Sequence, residues 1–426
     1  MKRYKIFFPI GALILLFVGF ILSYRFSYIS SDAPYYLMVA KDISQGAIPY
    51  KDLYLSYTPL MMYLNSLMFL IFEEPDYNLF LLFQFLVVII ILCFFYKTIL
   101  SYFNLSISDS LLLSSFFGIS ILSSDGSLII LEVYSILMVM IAFLFFQKGS
   151  YFIVGIFLGL SFFFKQYGLL NFFPFFIYIF MTKKDVIKRI LKISIGGLIP
   201  LAVFLIYFLG YENLNLSRII TQIGGIEYIQ YSLLKTPNLI NLILGAKVFL
   251  LLLLVLIFLP LKIFRKNYNI LLLTGLCINL TPVILQSFQH YYINCFPYLF
   301  LMIAYNWKDF NRKILVPISI SFSLIALLLY VRNYRYHNIL KEQIASANEL
   351  KQHYPSGSSI FLYGEIRYMY ILNNYNNPLK KEVGYSYPYM PNVSDAFSET
   401  VLSNKHILGL TLSKTIQIDG LTFFEY

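Results

Sequence analysis

Long apolar runs alternate with short polar interruptions along this chain, and the runs set the expected architecture. A helix needs about 17–25 apolar residues to span a bilayer. Runs of that order cover 6–23, 77–97, 108–123, 127–146, 150–164, 167–182, 191–210, 241–263, 269–286, 291–306 and 314–331. They predict about eleven membrane helices, the shorter ones tilted or in locally thinned bilayer. The run 59–73, TPLMMYLNSLMFLIF, is short for a span, and EEPD rather than Lys or Arg follows it. It is expected to lie in the interface or to re-enter on the outer side. The alternative is a short true span, with another segment failing to cross.

The pattern changes after residue 331. Residues 332–426 are polar, with SSIFLYG reading as a strand and Glu365–Leu372 as a helix-like stretch. The expected fold is therefore all-α and polytopic over 1–331, with a small outer α/β domain over 332–426. The first outer loop covers 24–76 and carries interfacial helices.

Charge placement orients this arrangement. Lys183, Lys184, Lys188, Arg189 and Lys192 mark one cytoplasmic loop. Lys262, Arg265 and Lys266 mark a second, and Lys308, Arg312 and Lys313 a third. Lys2, Arg3 and Lys5 place the N-terminus inside as well. The outer face then collects the loop after the first helix, the turn SSDGS, the Lys165-Gln166 turn, residues 211–240, Gln286–His290 and the tail. The N-terminal run could pass for a secretory signal, but no small-x-small cleavage site follows it, so a retained helix is expected.

Composition agrees with the hydropathy. Of 426 residues, 59% are hydrophobic and 12% charged, with a mean hydropathy of +0.73, which excludes an ordinary soluble domain. The net charge of +11 reflects loop topology and gives no reason to invoke nucleic acid. Cys93, Cys277 and Cys295 lie in apolar runs without paired spacing, so neither a disulfide framework nor a metal site is expected.

The chemistry-bearing residues concentrate in the first loop, SSDAPYYLMVAKDISQGAIPYKDLYLSYTPLMMY, and at helix ends. Asp32, just past the first helix, suits a general base; the competing reading is a helix cap, since Ser-Asp before Pro34 is an N-cap signature. Asp42 and Asp52 read by default as solvated acids. Gly46 and Pro49 break the loop, and Pro59 opens the next apolar run. Asp125 and Glu132 stand at or inside the outer end of an apolar helix, where an acid is a functional candidate, although Glu132 could pair structurally with a lysine. Lys165 interrupts LSFFFKQYGLLNFFP; it either snorkels to headgroups or holds a phosphate. His290, Tyr291 and Tyr292 open another helix and would serve equally as aromatic-belt residues. No Walker motif, His/Cys cluster or Ser-His-Asp order stands out.

The pattern Asp32, Tyr36, Ala40, Gly46, Pro49-Tyr50, Asp52, Tyr57-x-Pro59-Leu60 and Tyr63 resembles the first outer loop of GT-C membrane glycosyltransferases. The bacterial branch related to protein O-mannosyltransferases, aminoarabinose transferases and lipopolysaccharide-core sugar transferases is the most similar. GLSFFFKQYG, FQHYYINCFPYLFLM and a tail strand like IFLYG also resemble that branch. The likeness covers most of the chain at low density and is best over 29–73. It implies Asp32 as catalytic base and Lys165 as donor-phosphate contact, with His290 and Tyr292 carried over to the donor side. Gly46, Pro49, Tyr50 and Pro59 would shape the loop. The family's Asp-Glu pair is broken here by Ala33, so Asp52, Asp125 or Glu132 would supply an acceptor contact or second carboxylate. No cofactor is implied with certainty, and nothing in the chain supports a divalent metal.

The resemblance implies transfer of a hexosyl or pentosyl group from a polyprenyl-phosphate carrier to a glycan, lipid or protein acceptor. The reaction would invert the anomeric carbon on the outer side of a bacterial plasma membrane, the tail being extracytoplasmic. A transporter or flippase for lipid-linked saccharides, and a polymerase joining them, remain the alternatives.

Overall fold

The computed structural model describes residues 4–25, 29–30, 32–72, 75–183, 185–211, 216–224, 267–286, 289–309, 334–356, 358, 368–373 and four short strands between 406 and 425. The expected spans 241–263 and 314–331 and the expected strand Ser359–Tyr363 lie outside the described residues. Helices dominate the rest. They are α1 (Tyr4–Arg25), α2 (Asp32–Ser44), α3 (Leu60–Ile71), α4 (Tyr77–Tyr102), α5 (Ile107–Ile121), α6 (Leu131–Gln147), α7 (Tyr151–Phe164), α8 (Phe172–Thr182), α9 (Val186–Leu209), α10 (Leu216–Gly224), α11 (Asn267–Gln286), α12 (Phe296–Tyr305), α13 (Tyr334–His353) and α14 (Tyr368–Asn373).

Among the described residues, four helical stretches are long and apolar enough to cross a membrane: α4, α5 with the turn that follows it, α9 and α11. Shorter apolar helices accompany them, among them α6 and α7. This is the chain of a helical membrane protein. The helix α3 has 12 residues and extends about 18 Å, short of the roughly 30 Å hydrocarbon layer.

The chain divides into two compact units. One comprises Met1–Phe26, Leu81–Phe208 and Thr236–Tyr334; the other comprises Ser27–Phe80, Leu209–Lys235 and Arg335–Tyr426.

In the first unit, small residues let apolar helices approach closely. A Cβ built on Gly155 of α7 would lie 2.0 Å from the Ile193 carbonyl of α9, and one on Gly196 would lie 2.0 Å from the Phe152 carbonyl. Gly155 and Gly159, four apart, thus face Gly196 and Gly197 in a small-xxx-small seam. Ser135 on α6 and Ser161 on α7 share a hydrogen bond of 2.8 Å. Deeper in the unit, Asn171 Oδ1 accepts from Tyr298 Oη at 2.8 Å and from Asn279 Nδ2 at 3.0 Å, tying α8, α11 and α12 together. These bonds satisfy polar groups that the hydrocarbon would otherwise leave unpaired.

The ends of these helices differ chemically. The C-termini of α4, α6, α8 and α12 and the N-termini of α7, α9 and α11 share an aromatic layer. Gln147 donates to Tyr268, whose ring meets Phe103, Tyr178 and Tyr305, while the Arg189 guanidinium sits 5.1 Å over the Tyr151 ring. Lys148, Lys183, Lys188 and Lys192 belong to the same helix ends. The opposite ends of α5, α6, α7, α11 and α12 carry Asp125, Glu132, Lys165 and His290.

In the second unit, α2 packs on α3 and α14. Its C-terminus closes as a Schellman motif. The Ala47 amide donates to the Asp42 carbonyl at 2.9 Å and the Gly46 amide to Ile43 at 3.0 Å, with Gly46 at φ +94°. A glycine fits there because that backbone region penalises a Cβ. Gln343 of α13 brackets Ile29, accepting its amide at 3.2 Å and donating to its carbonyl at 3.0 Å. Asn373 of α14 donates to Ala347 of α13 at 2.8 Å. The tail also holds two antiparallel strand pairs. His406–Ile407 pairs with Leu410–Thr411, and Lys414–Ile418 with Leu421–Glu425.

Candidate functional site

The first unit brings together three side chains that lie far apart in the sequence. Glu132 stands in the first turn of α6, an otherwise apolar helix, and is 1% exposed. Lys165, 3% exposed, forms an ion pair with Glu132, its Nζ 3.0 Å from Oε1. His290 Nε2 lies 4.0 Å from the same oxygen and is 17% exposed, which makes it the accessible side of the cluster. A charge at such depth is costly unless paired, so the ion pair accounts for both burials. Of the two roles open to Lys165 in the sequence, snorkelling does not describe a side chain this enclosed.

Backbone breaks place all three groups. The α7 helix ends at Phe164, and Lys165 is extended, with φ −150° and ψ 133°. A 3-10 turn, Gln166–Asn171, follows and folds back on α7. A Cβ on Gly168 would sit 2.3 Å from the Ser161 carbonyl carbon, so glycine alone permits the approach. A second 3-10 segment, Gln289–Cys295, carries His290 and leads into α12. A third break, the π-helical turn Leu122–Gly126, precedes α6 and packs against the His290 segment. There Asp125 adopts φ +66°, an uncommon backbone state for a residue with a side chain, and it is half-buried. Irregular backbone at the ends of apolar helices is tolerated where protein buries it or a polar cavity borders it.

Aromatic rings complete the cluster. The Lys165 ammonium lies 5.1 Å from the Tyr291 ring centroid and 5.9 Å from that of Tyr167, within cation–π range. Tyr291 meets both Tyr167 and His290 edge-on. Tyr292 is buried beside them in sequence. The sequence pattern singled out His290 and Tyr292 but not Tyr167, whose position two residues after Lys165 was the available signal.

The second unit holds Asp32 and its loop. The Ser30 hydroxyl accepts the Ala33 amide at 3.3 Å, so Ser30 caps α2. Asp32 is the first residue of α2, half-buried, and its carboxylate has no hydrogen-bond or ion-pair partner among the described residues. Pro34 falls inside the first turn rather than opening the helix. Asp52 braces its own loop: its Oδ2 accepts the Ile48 amide at 2.9 Å, and its amide donates to the Ile48 carbonyl at 2.9 Å. Asp42 is 2% exposed, so it is not a solvated acid.

Tyr50 and the flanking prolines shape this loop. Tyr50 is fully buried at φ +66°, between Pro49, which bridges to Leu53, and the loop's return to Pro59. Its hydroxyl donates to the Tyr57 carbonyl at 2.8 Å. Burial, with smaller contributions from Tyr35 and Tyr63, holds its phenol well above the usual range, so it stays a neutral donor. Pro59 is buried at the start of α3, where its carbonyl accepts the Tyr63 amide at 3.0 Å. Tyr35, Tyr36 and Tyr57 pack edge-to-face, and Tyr35 Oη accepts the Ser56 amide at 3.2 Å. From α10, Gln222 accepts the Leu55 amide at 3.1 Å.

Among the described residues, no group of three or more His, Cys, Asp and Glu side chains is arranged to hold a metal ion. No protein-family model matches the chain, and no curated protein sequence matches it significantly.

Proposed function

We propose that the protein is an integral-membrane glycosyltransferase of the GT-C type that moves a sugar from a polyprenyl-phosphate donor to an acceptor hydroxyl on the outer side of the membrane. The observation that carries this reading is the state of Asp32. Capping of α2 by Ser30 leaves its half-buried carboxylate available to take a proton. In the proposed reaction the acceptor oxygen attacks the anomeric carbon, Asp32 takes its proton, and the bond from that carbon to the phosphate oxygen breaks with inversion. Polyprenyl phosphate leaves. Lys165, with His290 at the same Glu132 carboxylate and Tyr292 two residues after His290, is proposed to meet the phosphate, since an ammonium among aromatic rings suits a charge that grows as the bond breaks.

The chemistry of the helix ends supports the sidedness. The end that carries Lys148, Lys183, Lys188, Arg189 and Lys192 fits the cytoplasmic face of a plasma membrane. Glu132 and Lys165 then belong to the extracytoplasmic side. About eleven spans, an interfacial α3 and an outer α/β tail domain complete the proposal.

A transporter of lipid-linked saccharides is the second reading, favoured by one observation. Three breaks in apolar helices surround a buried ion pair, as at the discontinuous helices of secondary transporters. Purified protein in detergent, given polyprenyl-phosphate sugars and candidate hydroxyl acceptors, separates the two. The transferase makes glycosylated product without a membrane, and a transporter makes none.

A further inference from the structure

We propose that Glu132 is an exchangeable counter-ion, holding the Lys165 ammonium in the ligand-free protein and yielding it to the phosphate of a polyprenyl-phosphate lipid. The inference rests on the donor class proposed above and adds a residue that the transfer step does not use. Glu132 and Lys165 neutralise one another at 3.0 Å with almost no solvent contact. An anion entering beside an intact pair meets a buried carboxylate and no net positive charge, so binding requires the ammonium to turn toward it.

Three features permit that turn. Lys165 is in extended backbone between a helix and a 3-10 turn, so its side chain can reorient without unwinding either. The Tyr167 and Tyr291 rings, 5.9 and 5.1 Å from the ammonium, keep attracting it when the carboxylate is lost. His290 Nε2, 4.0 Å from the same Glu132 oxygen, remains as a donor for Glu132. Its 17% exposure makes it the most open of the three clustered side chains.

The test measures binding of polyprenyl phosphate to the full-length protein in detergent, with the matching polyprenol as the uncharged control. Removing a carboxylate beside a bound anion relieves a repulsion of a size that gives about tenfold or more in affinity. Glu132→Gln is therefore expected to bind polyprenyl phosphate at least about tenfold more tightly than wild type. It should melt lower without ligand and gain more from the ligand than wild type does. Equal or weaker binding by Glu132→Gln overturns the exchange and leaves a fixed structural pair. Should Glu132→Gln not fold, a structure of the wild-type protein with polyprenyl phosphate decides. Lys165 on the phosphate and away from Glu132 supports exchange; Lys165 still paired, or no binding of the lipid phosphate at all, overturns it. Tighter binding by Glu132→Gln in a protein that transfers no sugar removes the transferase reading and leaves the exchange standing. Transfer with binding indifferent to Glu132 does the reverse.

Discussion

The Ser30 hydroxyl accepts the Ala33 amide at 3.3 Å, and that bond separates capping from chemistry at the start of α2. Ser30→Ala should cost about 1 kcal/mol of stability, the usual value of an N-cap, while sugar transfer is retained. Asp32→Asn should cost less, about 0.3–1 kcal/mol for a carboxylate in the first turn. Thermal unfolding of the two purified variants side by side checks this. Asparagine caps as well as aspartate does, so Asp32→Ala is the third variant: a larger loss there than in Ser30→Ala would return the capping role to Asp32.

Lys165→Ala leaves Glu132 buried without its ammonium, with only His290, 4.0 Å away, beside it among the described residues. Breaking one side of a buried pair costs about 3–5 kcal/mol, so the variant should melt far below wild type. Replacing both partners, as Lys165→Met with Glu132→Leu, should recover most of that loss without restoring binding of a lipid phosphate. If Lys165→Ala melts like wild type, the pair is not coupled as the geometry requires.

The helices were legible to the extent that hydropathy reports burial. The runs 77–97 and 150–164 became Tyr77–Tyr102 and Tyr151–Phe164, because an uninterrupted apolar stretch has few alternatives to a helix in lipid. The breaks were not legible. Leu169 and Ile293 sit in 3-10 turns, yet they read as apolar as any helix residue, and only packing at Gly168 and against the π-turn sets the backbone there. Glu132 and Lys165 were each visible as charges in apolar surroundings, but their pairing requires the tertiary fold. The Asn171–Asn279–Tyr298 bonds escaped for a related reason, since a lone asparagine in an apolar run does not reveal its partner. Asp52 read as a surface acid, and its bond to Ile48, four residues earlier, is the local signal that was available.

Close approach of α7 and α9 depends on glycine. Gly196→Val should disrupt the seam, since even a Cβ there would meet the Phe152 carbonyl at 2.0 Å. The cost should exceed the roughly 1–3 kcal/mol of ordinary overpacking, because backbone rather than a side chain must move. Gly11→Ala, with nothing within 4 Å, should be neutral or stabilising. Yield of monodisperse protein after detergent extraction, and its melting point, compare the two.

Sidedness follows from the basic helix ends. In a background lacking Cys93, Cys277 and Cys295, a cysteine at Asp76, which is exposed, should label from outside intact cells. A cysteine at Lys148 should label only after permeabilisation. The reverse pattern would invert the proposed orientation.

The most direct measurement is sugar transfer by Asp32→Asn in detergent with saturating polyprenyl-phosphate donor. Asparagine keeps the size and polarity of the side chain but cannot take the acceptor's proton. A positioned general base contributes about a hundred- to ten-thousand-fold in rate. The account predicts a fall of that order with donor affinity and melting point near wild type. Transfer at close to the wild-type rate would contradict it and shift the search for the base to Asp125 and Glu132.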